Sequence, residues 1–410
     1  MPAPSTRSIN WPRFIISAYG PTFLSTIGYG AVIPLVGLTA LDLGASLAVS
    51  ALITSLIGLG HLVADLPASW ITIKLGEKKA IAFACLWDAV WLIVAFQADD
   101  LLVLALAVFA FGLSGAVFGL ARQVYLTEAI ELRYRARALS SLGGTFRTGF
   151  FIGPIVGAAI IAHWNLSAAY LFAGIMCLLA AGVTLGLPSL PGEVRTRRRT
   201  LTQQPKLFSV LVAHVHTYAT LGVGALTIQL VRAVRQTVLP LWCASLGLDP
   251  SHTSLIYGLS MGIDVSLFFI GGWIMDRFGR LWVAMPSMVI LGIGLVGLAW
   301  AHTPVAVMVI AVVLGLGNGI GAGIMMILGS DSSPQDGRTQ FLSGWRLVGD
   351  TGHSVGPLLL AGITALTSLS VATVSLGLLA WGGAGWLAYW IRRSPLGKIH
   401  HLVDVNEIAE

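Results

Sequence analysis

Gly272-Trp273-Ile274-Met275-Asp276-Arg277-Phe278-Gly279-Arg280 is a charged turn set between two apolar runs. A worn copy stands 203 residues upstream, as Ser69-Trp70-Ile71-Thr72-Ile73-Lys74-Leu75-Gly76-Glu77-Lys78. Other landmarks keep the same offset. Leu43-Gly44 returns as Leu246-Gly247, Gly112 as Gly315, and Gly153-Pro154 as Gly356-Pro357. Four correspondences at one spacing mean two similar halves joined in a single chain.

Both halves are too apolar for water. The 410 residues are 56% hydrophobic and 10% charged, against about 25% charged in a soluble domain. Mean hydropathy is +0.84. The 24 basic residues outnumber the 18 acidic ones, but they cluster in short loops between apolar runs. That pattern fits a membrane surface and not nucleic acid. Cys85, Cys177 and Cys243 all fall in apolar runs, without the spacing of a metal site or a disulfide framework. No metal and no cofactor are expected. The first apolar run is long enough to span and lacks a small-residue cleavage pattern, so no cleavable signal is expected.

A helical span needs roughly 20 apolar residues. Twelve candidates emerge: 13–37, 47–71, 80–97, 101–127, 138–161, 166–187, 210–244, 252–275, 281–301, 304–328, 339–365 and 369–391. Of these, 13–37 and 210–244 are expected to be tilted or broken. The alternation of barrel strands is missing. The fold class is therefore an all-α membrane protein of twelve transmembrane helices in two pseudo-symmetric six-helix bundles, residues 1–190 and 209–393. A cytoplasmic linker (191–208) joins the bundles and a cytoplasmic tail (394–410) follows. One set of loops holds Lys74, Lys78, Lys79, Arg277, Arg280 and the Arg195 to Arg199 run; the opposite set holds Asp42, Asp99, Asp100 and Asp249. The positive-inside rule puts both termini in the cytoplasm, in an integral multi-pass protein of the inner or plasma membrane.

The 272–280 segment resembles the loop signature of the major facilitator superfamily, G-x-x-x-D-R-x-G-R. Gly272, Asp276, Arg277, Gly279 and Arg280 match it, while the upstream copy keeps Lys74 and Gly76 but has Ile73 where the family has Asp. Asp276 is expected to accept hydrogen bonds from a neighbouring helix N-terminus, and Gly279 to permit the turn. Asp65 is a candidate substitute for the missing acid. Gly149, Gly153, Pro154 and Gly157 resemble the G-x-x-x-G-P-x-x-G signature of the drug:proton antiporter branch, echoed by Gly352, Gly356 and Pro357. Small residues four apart also make a smooth packing face. One departure stands out: no arginine precedes Gly112 within the run Val108-Phe109-Ala110-Phe111. Arg122 comes later, near Glu128.

Ionisable residues inside spans are costly and mark function. Five arginines (122, 147, 232, 235 and 346) face three aspartates (Asp88, Asp264 and Asp350). Arg232 and Arg235, three apart, share a helix face and suit a carboxylate or phosphate. Arg346 and Asp350, four apart, form an intrahelical pair or a proton-exchange site. The offset places Arg147 opposite Asp350, a candidate cross-half switch. Asp264 is the second proton-coupling candidate, and Asp88 reads as structural. Tyr29 is a candidate cavity residue. Enzyme signatures (Gly-Lys-Ser/Thr loop, His-Glu-x-x-His, Gly-x-Ser-x-Gly) are missing from the sequence, so no enzyme and no ATP-driven pump is expected.

The resemblance implies a secondary active transporter working by alternating access. Its expected partners are a small-molecule substrate, protons and the lipid bilayer, and it is expected to be a monomer. The first expectation is proton-coupled efflux of small amphipathic molecules. The alternatives are proton-coupled uptake or exchange of an organic anion, favoured by the arginine surplus, and a non-transporting membrane sensor on the same fold.

Overall fold

The computed structural model describes residues 11–129, 132–186, 207–334 and 336–394. Every regular element among them is helical. The first half runs α1 (Trp11–Asp42), α2 (Leu47–Leu75), α3 (Glu77–Phe96), α4 (Leu101–Ala129), α5 (Leu132–His163) and α6 (Ala168–Gly186). In the second half, α7 (Leu207–Ala213) and α8 (Val215–Thr217) lead through a π-helical turn, Tyr218–Gly222, into α9 (Val223–Ser245). Then come α10 (Pro250–Phe278), α11 (Leu281–Leu298), α12 (Pro304–Ile320), α13 (Ile324–Ser332), α14 (Arg338–Leu366) and α15 (Leu369–Arg393). Two crossings are interrupted, so these fifteen helices make twelve spans. Eleven stretches are apolar and long enough to cross a membrane on composition. The twelfth is α14, 29 residues long, whose Arg338, Arg346 and Asp350 lower its hydropathy. The linker and tail readings fall outside the described residues.

Two expectations about breaks need correction. The first helix is continuous over 32 residues through Pro21 and Pro34. It packs along α5 and α6, and a break facing lipid leaves backbone groups unpaired. The 304–328 span, in contrast, is interrupted between Ile320 and Ile324. Gly315, Gly317, Gly319, Gly321 and Gly323 alternate there, and glycine weakens a helix interior by roughly 1 kcal/mol per residue. The expected break in 210–244 is present as the π-helical turn.

The repeat survives in the physics of the turns where residue identities have drifted. Ser46 caps α2 and Asp249, 203 residues on, caps α10, each side chain accepting a backbone N–H one turn inside the helix. Asp100 caps α4 and its counterpart Thr303 caps α12. Asn165 receives the N–H of Ala168 and its counterpart Ser368 that of Val371. Gly44 and Gly247 have φ of 85° and 75°, Gly76 and Gly279 of 82° and 92°. At these angles a Cβ is strained, which is why glycine persists at both copies.

Asp249 gives a measurable cap. The N–H of His252 donates to its carboxylate at 2.7 Å, and this bond holds the group below its ordinary 3.8. A depressed folded pKa contributes stability above the unfolded value, lost as pH falls through the folded one. Asp249→Ala is therefore expected to cost about 0.5–1 kcal/mol at neutral pH, low in the capping range because the group is half exposed. The difference in melting temperature between the two proteins should shrink as pH falls below the ordinary carboxylate value of 3.8.

Packing repeats as well. In the first half α1 lies on α5, α2 on α4 and α3 on α6; in the second α9 lies on α14, α10 on α12 and α11 on α15. Two seams join the halves, α2 with α14 and α5 with α10, and the repeat exchanges one seam for the other. At the end carrying the acidic loops the halves are packed shut. Ile33, Leu41 and Leu47 join the core of the second half. Leu241 reaches Gly37, and the Ser251 hydroxyl donates to the Ala158 carbonyl at 3.0 Å.

Candidate functional site

Between the halves lies a cavity of about 500 Å³, lined by α1, α2, α4 and α5 from one side and α9, α10, α12 and α14 from the other. It is sealed toward the acidic end by the packing just described. Toward the basic end it continues to Gln123, which is exposed. Five arginines line it, Arg122, Arg147, Arg232, Arg235 and Arg346, against the two aspartates Asp264 and Asp350.

Asp264 is the hub of the α5–α10 seam. Its side chain is 5% exposed and takes a hydrogen bond from Arg147 Nη1 at 2.5 Å, across the halves. Asn318 of α12 donates to its other oxygen, and Arg235 Nη2 lies 3.6 Å away. Arg235, 2% exposed, also donates to Ser260 Oγ at 2.9 Å. A carboxylate this buried needs such partners, because an unpaired buried charge costs several kcal/mol, roughly.

The α2–α14 seam carries the second cluster. Arg346 is 3.4 Å from Asp350 on its own helix and 3.6 Å from Asp65 across the halves. His61 joins them: ring nitrogen and carboxylate oxygens of His61, Asp65 and Asp350 all lie within 4.8 Å of one another. Arg346 already places a positive charge against both carboxylates, which works against a metal ion in this group. His61 stands 203 residues before Asp264, and Arg147 the same distance before Asp350. The two seams thus hold the same pair of positions with acid and base exchanged.

The interrupted span supplies backbone acceptors at mid-depth. Arg232 Nη2 donates to the carbonyl of Gly321, and Arg147 Nη2 reaches that of Ala322 at 3.5 Å. Carbonyls released by a helix break are tolerated where they line a cavity. Arg122, unlike the other four, makes no hydrogen bond among the described residues. Its guanidinium lies 5.5 Å from the Phe118 ring centre and 5.0 Å from that of Phe146, and it has no carboxylate partner among the described residues. The side chain of Glu128 lies outside the described residues.

Comparison with known proteins matches this architecture. The model of the Major Facilitator Superfamily aligns with residues 21–357 and again with 221–404. The chain belongs to the Major Facilitator Superfamily. No curated protein matches it. Solved structures of similar fold include the nucleoside transporter NupG, with a TM-score of 0.71, 13% identity and cover of 91% of this chain and 98% of that one. A POT family transporter in complex with 5-aminolevulinic acid gives 0.73, 13%, 94% and 98%. The human organic anion transporter MFSD10 gives 0.68, 12%, 92% and 99%. At these identities the likeness is one of fold.

Within this superfamily framework the candidate residues separate by environment. Arg232, Arg235, Arg147, Arg346, Asp264, Asp350 and Tyr29 all reach the cavity. Tyr29 also donates to Asp88, which is fully buried and takes a second hydrogen bond from Ser114. Asp88 faces the first bundle and not the cavity. Arg147 meets Asp264, not Asp350. The repeat makes Arg147 and Asp350 equivalent positions, so they lie on opposite seams.

The loop signature also needs a correction. Asp276 is exposed and accepts no hydrogen bond among the described residues. The turn is tied instead by Arg280 to Asp331, 2.8 Å. Arg277 stacks over Trp273 as Lys74 does over Trp70, at 5.7 and 4.7 Å. Gly272 meets nothing close. Gly149, Gly153 and Gly157 face α1, and Gly352 and Gly356 face α9. Pro154 and Pro357 lie inside α5 and α14.

Sequence reasoning missed His61, Asn318 and the Gly321 and Ala322 carbonyls. The first was legible through its offset to Asp264. The carbonyls were signalled by the alternating glycines.

Proposed function

We propose that this chain is a proton-coupled secondary transporter that carries a small amphipathic molecule by alternating access. The observation behind this reading is a cavity walled by both halves, shut at one end, whose seams are tied by exchangeable ion pairs. Rocking the halves about the α2–α14 and α5–α10 seams moves the opening from one end to the other. The cavity size suits a small organic molecule. Transporters of nucleosides, peptides and organic anions share the fold, which supports transport and leaves the cargo open.

Asp350 is the proton site in this reading. Asp65 and His61 beside it give a proton more than one resting place, and Arg346 shifts between the two carboxylates as the seam opens. Export in exchange for entering protons follows from the Gly149–Gly157 likeness to drug:proton antiporters. The distribution of loop charges supports a cytoplasmic-membrane protein with its basic loops and termini inside.

The test uses the full chain in liposomes preloaded with radiolabelled candidate cargo. An imposed inward proton gradient is expected to drive the cargo out, and a protonophore to stop it. Asp350→Asn is expected to abolish gradient-driven flux while leaving cargo-for-cargo exchange. Flux insensitive to the gradient removes proton coupling, and no flux of any cargo removes transport.

A further inference from the structure

The cavity's charges do not balance, and the imbalance is localised. Five arginines line it with two aspartates, and a third, Asp65, touches Arg346 from behind. Arg147 and Arg235 share Asp264, and Arg346 has Asp65 and Asp350. Arg122 and Arg232 are left with no carboxylate among the described residues. The Arg122 guanidinium lies over the faces of Phe118 and Phe146. Arg232 spends its bonds on the Gly321 carbonyl and, at 3.3 Å, on Gln229. Both keep a buried guanidinium nitrogen without a hydrogen-bond partner, Nη1 of Arg122 and Nε of Arg232; Arg235 also has one at Nε, but its charge is met by Asp264. Buried donors left unmade are expensive, and guanidinium donors are matched best by a flat or tetrahedral oxyanion.

We infer that the cargo is an organic anion, its acid group held by Arg122 of the first half, its apolar body against the aromatic wall, with Arg232 of the second half adding to the positive field of the cavity. That wall belongs to the first half: Tyr29 and Phe111 meet edge to face at 4.8 Å, and Phe146 stacks on Phe150 at 4.6 Å. Each half brings one such arginine to the cavity, so the field that draws the anion depends on their relative position. Empty, the cavity holds like charges that favour separation. Filled with an anion, it holds less net positive charge, which weakens that repulsion and favours closure around the cargo. The inference rests on the transport reading and adds the chemical class of what is carried.

Size-matched probes separate the charge types: benzoate and phenyl phosphate, benzylamine, and benzyl alcohol, each titrated into the purified full-length protein with thermal melting as readout. The anions are expected to raise the melting temperature in a saturable way and the amine and alcohol not to. Arg122→Ala is expected to weaken benzoate or phenyl phosphate binding at least tenfold, with Arg122→Lys between the two. Removing an unpaired buried charge should not lower the melting temperature of the empty protein, so lost binding is not lost folding. Arg393→Ala, in the last turn of α15, serves as a basic-residue control. Stabilisation by benzylamine instead, no response to either anion, or anion binding indifferent to Arg122→Ala overturns the assignment. If the amine proves to be cargo in the liposome assay, the anion inference fails and the transport reading stands.

Discussion

Replacing Asp264 with asparagine is expected to abolish transport and to lower the melting temperature of the purified protein. Its carboxylate, 5% exposed, is the only acid contacted by either Arg147 or Arg235 among the described residues. Neutralising it leaves two guanidiniums facing each other beside a third, Arg232. Removing one partner of a buried ion pair costs about 3–5 kcal/mol. The loss should fall toward the lower figure, because Arg147 is 20% exposed and opens to the cavity. The functional loss is expected to be the larger one. Arg147 to Asp264 is the bond that fastens α5 to α10, and a seam that repels itself cannot return to the closed arrangement. Asp264→Asn combined with Arg147→Gln should recover part of the stability, since less charge is left unpaired, but not the flux. A single variant that melts and transports like the wild type would remove this ion pair from the mechanism.

Gly153→Leu is expected to abolish the folded protein. Helix α5 crosses α1 so closely that a Cβ at Gly153 would lie 2.7 Å from the Ala31 nitrogen and 2.8 Å from the Gly30 carbonyl carbon. Both are backbone atoms and cannot swing aside, so the helices must separate along their length. Overpacking a tight site costs about 1–3 kcal/mol even where side chains can adjust, and here they cannot. One turn further on, a Cβ at Gly157 would stand 3.3 Å from the Ala31 methyl. Gly157→Ala is therefore expected to cost only about 1 kcal/mol. The yield of monodisperse protein on gel filtration after detergent extraction distinguishes them. Equal yields from Gly153→Leu and wild type would show that the α1–α5 contact is not rigid. The contrast also explains the glycine signature of α5 in packing terms, without reference to direction of transport.

Much of the fold was legible because lipid imposes so few solutions. A chain that crosses lipid can satisfy its backbone only in helices or a closed barrel; apolar runs of about 20 residues without strand alternation leave helices, and glycines and turn caps mark where they end. The candidate site was legible in part. Arginines and aspartates inside apolar spans announce themselves by their cost. Their partners did not, because facing positions are set by how the halves dock. Asp65 is legible only as a substitute for the missing loop acid, and it is α14 that sets Arg346 beside it. Apart from its offset to Asp264, nothing in the sequence singles out His61 until the seam brings Asp350 within reach. Ser46 and Asp249 show the converse: cap chemistry was conserved through an identity change that comparison of letters alone passes over.

From the order of residues alone follow the twelve spans, the doubling at 203 residues and the excess of buried arginine, since period, length and transfer cost are local properties of a chain in a bilayer. Which arginine meets which aspartate, where the interrupted span offers its carbonyls, and that Arg122 and Arg232 meet no acid among the described residues came only with the docking of one bundle on the other. Those contacts join residues more than a hundred positions apart, such as Arg147 and Asp264, and no local pattern encodes a distance across a seam.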